Sequence, residues 1–297
     1  DSKIALMSSI VSELEKKEKL GTRAGEILKK LWKNINWMSV AKTSGKTAFG
    51  IATGTAPITL LSSAMDVLKA TVTTKEGIAG AIESIGGYLK DAKLLTFNRE
   101  YKSYSGFWNG VPVLVMSTGM GGPSMAIAVE ELQKIGVEAA VRIGSCGALQ
   151  PEVRVGDLVM VEAAVRDEGT SLGYAPLSYP AVADHRLLTA CEESAKEAGC
   201  RFHTGIARSH DCLYRDDNPV IYEEWAKKGV LASDMETAAL FVVGRIRGMR
   251  TASILNVVAA CKGNVAENIG RYVDGETLTA QGEEYEILTA FAALTRQ

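Results

Sequence analysis

Apolar positions along most of the chain follow two alternating spacings. Short runs rich in β-branched residues predict strands, and apolar residues three and four positions apart predict helices. Strands are predicted at 46–53, 111–118, 139–143, 157–165, 202–207 and 251–259, and helices at 124–135, 184–198, 236–246 and 283–294. Because strands and helices alternate and the strands are short apolar runs, the pattern predicts one α/β domain. We expect a central mixed, largely parallel sheet flanked by helices.

The first 45 residues differ from the rest of the chain. The segment Leu20–Trp37 is rich in lysine and has apolar side chains at helical spacing, which predicts an amphipathic helix. Packing of this helix on the domain or on a partner subunit is favoured over binding to a membrane surface. We therefore divide the chain into an N-terminal helical extension, 1–45, and an α/β domain, 46–297.

Composition narrows the classes of function. The 297 residues are 46% hydrophobic and 23% charged, with a net charge of -2, which is ordinary for a globular protein and gives no reason to expect nucleic acid as a partner. The apolar runs are too short to cross a bilayer, and the five cysteines are scattered without paired spacing. These features predict a cytoplasmic protein without membrane, disulfide or zinc chemistry.

Three polar or glycine-rich segments follow predicted strands, where α/β sheets form their binding sites. The first is 118–124, which has glycines at its second and fourth positions. A dinucleotide-binding fingerprint would need a third glycine where Ser124 stands, so that interpretation is disfavoured. The alternative is a tight turn in which Ser124 caps the following helix.

The second segment, Arg142–Leu149, has an arginine at the end of a buried strand and then small residues. Glycine backbone, the Ser145 hydroxyl and a guanidinium together suit an oxyanion. We weigh this interpretation above an ion pair between Arg142 and a nearby acid. In the third segment, Asp234 and Glu236 either favour a helix N-terminus electrostatically or bind a ligand, and both alternatives stay open.

Taken together, these segments resemble the nucleoside phosphorylase family, which includes purine and uridine phosphorylases. The resemblance rests on the order and spacing of Asn98–Tyr101, Ser117–Ser124, Arg142–Gln150, Val155–Asp157 and Asp234–Glu236. The segment 177–183 is similar to the uridine phosphorylase branch in particular. The match extends from residue 46 to the end, and the N-terminal helix lies outside it.

The resemblance implies a role for each part of the site. Phosphate would be held by Gly54, Arg142, Ser145 and, in the neighbouring subunit's site, Arg99. Ribose would lie against Met235 and Glu236, and the base against Cys146, Gly147 and Leu213. Glu100, Met120 and Ser124 match positions that hold a monovalent cation at the dimer interface in some members.

The implied reaction is phosphorolysis of a nucleoside. Phosphate attacks C1′ while the base leaves through a transition state with oxocarbenium character, so positioned charges should supply most of the catalysis. Arg99, Arg142 and Glu236 would be the catalytic residues, and no cofactor is required. The expected partners are a nucleoside, inorganic phosphate and a second copy of the chain in a homodimer.

Three departures from the family pattern bear on specificity. The phosphate loop 54–59 lacks the usual arginine, and the Gln-x-Arg pair with which uridine phosphorylases bind uracil is absent after Tyr214. Purine enzymes have an aspartate after the strand matching 251–259, where this chain continues to Lys262 without an acid. That absence favours a pyrimidine nucleoside, uridine, with Lys262 as a hydrogen-bond donor to the base. The alternatives are purine phosphorolysis and a non-catalytic nucleoside-binding protein on the same scaffold.

The histidines have mainly structural interpretations. His203 at a strand start is expected to be structural, and His185 at a helix start to be solvated. For His210 a place in a surface loop is favoured over contact with the base.

Overall fold

The computed structural model describes residue 82 and the ranges 85–261 and 277–296, all within the compact unit Asp66–Gln297. The predicted N-terminal helix, the predicted strand at 46–53 and the boundary at residue 45 lie outside the described residues.

The first three strands of the described residues form an antiparallel sheet. They are β1 (Lys90–Asn98), β2 (Tyr101–Trp108) and β3 (Val111–Met116), in that order. Asn109 and Gly110 join β2 to β3 with φ angles of 50° and 82°, as a two-residue type I′ hairpin requires. The sequence pattern predicts β3 but not β1, because β1 is exposed along its whole length and has no buried face to produce an alternating pattern.

The other strands form a second sheet that closes on itself. Its order is β6 (Ala181–Val182), β5 (Leu158–Asp167), β7 (Phe202–His210), β8 (Ala232–Asp234), β4 (Ala139–Ala148) and β9 (Arg250–Ala259). An additional pairing of β5 with β9 closes five of these strands into a small barrel. The pairs β4–β9, β5–β7 and β7–β8 are parallel and include the longest ladders, whereas the others are antiparallel. The predicted mixed, largely parallel sheet is confirmed.

Helices flank this sheet as predicted. The described helices are α1 (Gly122–Lys134), α2 (His185–Ala198), α3 (Asn218–Ala226), α4 (Thr237–Ile246) and α5 (Thr277–Thr295). α4 is the innermost, because nearly all of its residues are buried and it packs against α1 and against β5 and β9. α4 begins directly after Glu236, and its burial on all sides holds this end of the helix in place.

Three strands run at least two residues further than the apolar pattern predicts, and one of them is β5, which ends at Asp167. β4 continues past Ile143 to Ala148, and β7 continues past Ala207 to His210. The extensions consist of small or polar residues, which weaken the apolar signal without preventing strand pairing. The segment after Arg142 is therefore strand rather than loop. The surface-loop prediction for His210 is wrong, since this residue is the buried end of β7 and is 3% exposed.

Candidate functional site

One cleft in the described part of the chain collects most of the predicted site residues. It is bordered by β4 and β8 and by the segments that follow β3 and β7. The predicted residues that line it are Met120, Arg142, Ser145, Cys146, Gly147, Leu213, Met235 and Glu236. Arg99, Glu100 and Ser124 are not among its lining residues, and Gly54 and Lys262 lie outside the described residues.

An ion pair between Arg142 and Glu236 lies in this cleft. Arg142 Nη2 donates to Glu236 Oε2, and Asp234 Oδ2 is 3.5 Å from the same nitrogen. The side chains of Arg142 and Glu236 are 9% and 10% exposed. Arg142 Nη1 is buried and has no hydrogen-bond partner among the described residues. The arginine is therefore paired with an acid, as one interpretation of the sequence expected, but it keeps an unused donor.

A glycine in β4 leaves space for the Arg142 guanidinium. A Cβ added to Gly144 would lie 2.7 Å from Arg142 Nη1, so glycine allows the guanidinium to fold back over the strand. Burial disfavours the charged guanidinium, but the neighbouring carboxylates of Glu236 and Asp234 outweigh it and raise the pKa of Arg142. The side chain is a permanent positive charge that is nearly buried in the cleft wall.

Asp234 and Glu236 have different roles in the structure. Asp234 Oδ2 accepts hydrogen bonds from the backbone and the hydroxyl of Thr237, at 2.9 Å and 2.5 Å, and Oδ1 accepts one from Ser209 at 2.6 Å. Asp234 therefore caps α4. Glu236 makes no capping bond; its Oε1 instead accepts the Gly121 backbone N–H at 2.6 Å. Both acids line the cleft, but the Asp234 side chain is fully buried, whereas the Glu236 side chain is 10% exposed.

Hydrogen bonds of Ser124 connect the glycine-rich segment after β3 to Glu100. Ser124 Oγ lies 2.5 Å from the Thr118 carbonyl oxygen and 2.9 Å from Glu100 Oε1, and its single hydroxyl hydrogen can donate to either oxygen. The prediction that Ser124 caps α1 is therefore wrong, since the N-cap is Gly121 and no side chain caps that end. Gly119 has a φ of 68°, and a Cβ there would lie 2.6 Å from Glu100 Cγ.

The three residues of the predicted cation site are only partly assembled. Its backbone hydrogen bond and the Ser124 hydroxyl lower the pKa of Glu100, so this side chain is a carboxylate at neutral pH. Glu100 and Ser124 supply two oxygen atoms of the kind that alkali cations prefer. Met120, in contrast, is 65% exposed.

Arg99 lies at the turn between β1 and β2 and is exposed. Its φ of 55° places a non-glycine residue in the left-handed region, which is uncommon. It does not line the cleft of its own chain. A role for Arg99 in catalysis therefore requires the site of another subunit.

The cleft wall also contains a buried ionisable residue that the sequence pattern did not single out. Glu286 in α5 is 5% exposed, and its Oε2 accepts the Gly144 backbone N–H at 3.1 Å. Burial and the nearby Glu283 raise the pKa of Glu286 to about 8, although Arg142 acts in the opposite direction. No sequence signal distinguishes Glu286 from the less buried acids of α5, because its burial depends on packing against β4.

The raised pKa of Glu286 predicts a pH-dependent stability. The folded state keeps the Glu286 proton up to about pH 8, whereas the unfolded chain releases it near the usual glutamate pKa of 4.5. Unfolding then releases a proton, so this group's contribution to stability is fully present below pH 4.5 and is lost as the pH rises to about 8. The loss is at most about 1.4 kcal/mol per pH unit. Glu286→Gln should flatten the fall in Tm between pH 5.5 and pH 8, because glutamine can still accept the Gly144 N–H. Parallel Tm profiles of the two proteins would contradict the buried, protonated acid.

Within the described ranges, no helix combines the length and the apolar character needed to cross a bilayer. The same ranges contain no group of three or more His, Cys, Asp or Glu side chains arranged to hold a metal ion.

Comparisons with known proteins agree with this fold and with the segments that build the cleft. A model of the phosphorylase superfamily matches residues 70–291. Uridine phosphorylase of Thermococcus kodakarensis is 36% identical over 70% of this chain and 78% of its own length. Uridine phosphorylase of Escherichia coli is 36% identical over 65% and 81%, and guanosine phosphorylase of Halorubrum lacusprofundi is 38% identical over 61% and 75%.

A solved structure supports the same relationship. The crystal structure of uridine phosphorylase from Vibrio fischeri in complex with 6-hydroxy-1-naphthoic acid is 39% identical to this chain. It superposes with a TM-score of 0.68 over 73% of this chain and 87% of that one. The chain described here belongs to the phosphorylase superfamily, and within it to the nucleoside phosphorylases, with uridine phosphorylases among its relatives.

Proposed function

We propose that this protein is a uridine phosphorylase, which cuts the N-glycosidic bond of uridine with phosphate and releases uracil and ribose 1-phosphate. The observation that carries the proposal is the Arg142–Glu236 pair. It places a permanent cation, with one unused donor at Nη1, beside a carboxylate that is not needed to cap its helix. The two charges supply complementary parts of a site for an anion and a sugar diol.

Phosphate binds where Arg142 and Ser145 face the cleft. A dianionic phosphate competes with Glu236 for the guanidinium, and the free Nη1 offers it a second donor. Binding therefore exchanges the Glu236 contact for two charge-assisted hydrogen bonds from Arg142. Ser145 is exposed in the strand three residues further on and adds its hydroxyl, while Gly54 remains a prediction from the sequence.

Ribose binds beside Glu236 once phosphate has taken its place on Arg142. A carboxylate can accept hydrogen bonds from both the 2′- and the 3′-hydroxyl, and Gly121 N–H keeps its Oε1 oriented. Its negative charge also lies near the carbon that becomes positive as the base leaves. Met235 supplies the apolar contact to the sugar ring, since it lines the cleft next to Glu236.

The base lies against Cys146, Gly147 and Leu213. Burial raises the pKa of the Cys146 thiol well above its usual value, so the residue is an uncharged thiol that packs rather than attacks. β9 ends at Ala259, and the two described residues that follow it, Ala260 and Cys261, supply no carboxyl group that could protonate a leaving purine. This favours a uracil leaving group stabilised by hydrogen bonds, for which Lys262 remains a sequence-based candidate.

Guanosine is the second candidate substrate. The guanosine phosphorylase of Halorubrum lacusprofundi is 38% identical to this chain, a similarity comparable to that of the uridine enzymes. A non-catalytic nucleoside-binding protein is the remaining alternative, because the phosphate loop lacks its arginine. The test is release of free base from uridine, thymidine, cytidine, inosine and guanosine, each with and without phosphate. Cleavage of uridine only with phosphate supports the proposal; cleavage of none, or of purine nucleosides alone, rejects it.

Glu236→Gln should damage cleavage of ribonucleosides more than cleavage of 2′-deoxynucleosides. The amide keeps the shape of the side chain but has one accepting oxygen instead of two, so it cannot accept from both ribose hydroxyls. We expect kcat/KM for uridine to fall by about tenfold or more relative to the change for deoxyuridine, which is the cost of one hydrogen bond to a charged group. Asp234→Asn is the matched comparison, since Asp234 caps α4 and should affect both substrates alike. Equal losses in Glu236→Gln would indicate that Glu236 only supports the helix.

A further inference from the structure

Glu286 in α5 contacts the strand that carries Arg142. Its Oε2 accepts the Gly144 backbone N–H at 3.1 Å, and a Cβ added to the same glycine would lie 2.7 Å from Arg142 Nη1. Gly144 therefore lies next to both the carboxyl group and the guanidinium. All three residues line the cleft. The position of the Glu286 carboxyl is thus linked to that of the arginine to which we assign phosphate.

The hydrogen bond from Gly144 to Glu286 supports β4 where the sheet does not. Along the described residues, β8 meets β4 only at Gly147 and Ala148, so Gly144 has a strand partner on the β9 side alone. A backbone N–H that is shielded from water needs an acceptor, and here a side chain of α5 supplies it. The carboxyl group therefore holds the β4 backbone in place beside the Arg142 guanidinium.

The charges around this carboxyl group are unbalanced. Glu283 lies one turn before Glu286 on α5 and also lines the cleft, and Arg142 acts on Glu286 from β4. Arg142 already has the carboxylates of Asp234 and Glu236 as neighbours. A further carboxylate beside this cation would make the cluster more negative and would oppose an incoming anion.

The other elements packed against α5 add apolar surface, a backbone donor and an ion-pair cluster at the far end of the helix. β2 and β3 pack apolar side chains against α5, and β9 supplies the Asn256 backbone N–H. Glu193 and Glu197 of α2 pair with Arg296, which follows Glu286 by ten residues and therefore lies about 15 Å further along the helix axis.

This environment makes Glu286 a neutral acid at pH 7. Burial, and then the charge of Glu283, raise its pKa to about 8, although Arg142 and the two backbone donors act in the opposite direction. A neutral carboxyl group can still accept the Gly144 N–H through its oxygen. Glu286 therefore supports β4 at pH 7 without adding negative charge beside Arg142.

We propose that Glu286 is a positioning residue of the phosphate subsite, which as a neutral acid holds Gly144 beside Arg142 and as a carboxylate weakens the binding of an anion there. The inference deepens the proposed function, since it takes Arg142 to bind phosphate. Anion binding and ionisation of Glu286 oppose each other, so each weakens the other by the same factor. The affinity for an anion should therefore fall as the pH rises through about 8.

The test is calorimetric titration of the whole protein with sulfate between pH 6.5 and pH 9.5. Sulfate remains a dianion throughout this range, whereas phosphate changes its own charge. The wild type should bind sulfate about five- to tenfold more weakly at the upper end of the range than at the lower end. Glu286→Gln keeps an oxygen for the Gly144 N–H but cannot ionise, so its affinity should change by less than about twofold.

Three further variants separate the charge of Glu286 from its hydrogen bond. Glu286→Leu can neither ionise nor accept the Gly144 N–H, so its affinity should be independent of pH and about fivefold below that of Glu286→Gln. Glu283→Gln removes the charge that helps to raise the pKa of Glu286, so the fall in affinity should begin at a lower pH. Glu284→Gln removes an exposed charge from the same helix and should keep the wild-type profile.

The outcomes distinguish this inference from the proposed function. A sulfate affinity that is constant with pH in the wild type, or that falls equally in Glu286→Gln, would overturn it, and so would equal affinities of the Gln and Leu variants. If the Glu286 variants do not fold, an unshifted profile of Glu283→Gln would overturn it instead. Sulfate binding with the expected profile but without phosphorolysis of uridine would leave the role of Glu286 standing and reject the proposed reaction. Phosphorolysis by a protein whose sulfate affinity does not depend on pH, or which binds no sulfate, would do the reverse.

Discussion

Arg142→Ala is expected to lower kcat/KM for phosphorolysis of uridine by at least about a hundredfold, the effect of removing one oxyanion donor from an enzyme. The loss should be larger than for a single hydrogen bond, because Arg142 offers phosphate both of its terminal nitrogens. The KM for phosphate should rise as well, since the same guanidinium is the group proposed to bind it. Initial rates over a range of phosphate concentrations measure both effects.

Two comparisons separate phosphate binding from the loss of an ion pair. Removing Arg142 leaves Glu236 as an unpaired, nearly buried carboxylate, which costs stability in its own right. The double variant Arg142→Ala with Glu236→Gln removes that charge and should recover Tm without recovering activity. Arg142→Lys keeps the charge but not the planar fork, so its loss should lie between those of wild type and alanine. Unchanged phosphorolysis by a folded Arg142→Ala protein would remove Arg142 from the phosphate site.

The local apolar pattern predicts the elements that bury one face or are buried all round. Helix α4 is apolar all round because it is buried all round, and its predicted limits differ from the observed ones by a single residue, Glu236. β1 and α3 were not predicted, because β1 is wholly exposed and α3 has little buried surface. The pairing of β5 with β9 joins residues that are about a hundred positions apart, and no local pattern encodes such a closure.

Within the site, the residue types predicted which side chains take part but not which of them contact each other. Arg142 and Glu236 were each singled out, but the sequence did not indicate that they pair with each other across 94 positions. His210 and Glu286 were missed for a related reason. Their buried positions depend on how β7 and α5 pack, whereas histidine and glutamate in a polar stretch usually indicate an exposed surface.

The position of Arg99 makes the proposed site incomplete within one chain. The phosphate loop 54–59 has no arginine, so Arg142 is the one arginine assigned to phosphate from within the subunit. Arg99 is exposed at the end of the β1–β2 hairpin and does not line its own cleft. Leu94, Leu95 and Phe97 on β1 are each more than half exposed, and exposed apolar side chains in one strand are typical of a surface that a partner covers. We therefore propose a homodimer in which each subunit lends Arg99 to its partner.

Mixing two inactive variants should restore activity if the site is shared. Arg99→Ala and Arg142→Ala subunits should each be nearly inactive alone. In a mixed dimer, the site built on the Arg99→Ala subunit has its own Arg142 and receives Arg99 from the partner, while the other site lacks both. A statistical one-to-one mixture should therefore recover about a quarter of wild-type activity, because half of its dimers are mixed and each has one intact site. Dilution below the dimer dissociation constant should lower the specific activity of the wild type for the same reason.

Glu130→Ala breaks an exposed ion pair with Arg247 on another part of the surface, and mixing it with Arg142→Ala should give only the sum of the separate activities. Verified mixed dimers without recovery, or full activity from a demonstrated monomer, would show that phosphate is held by one chain alone.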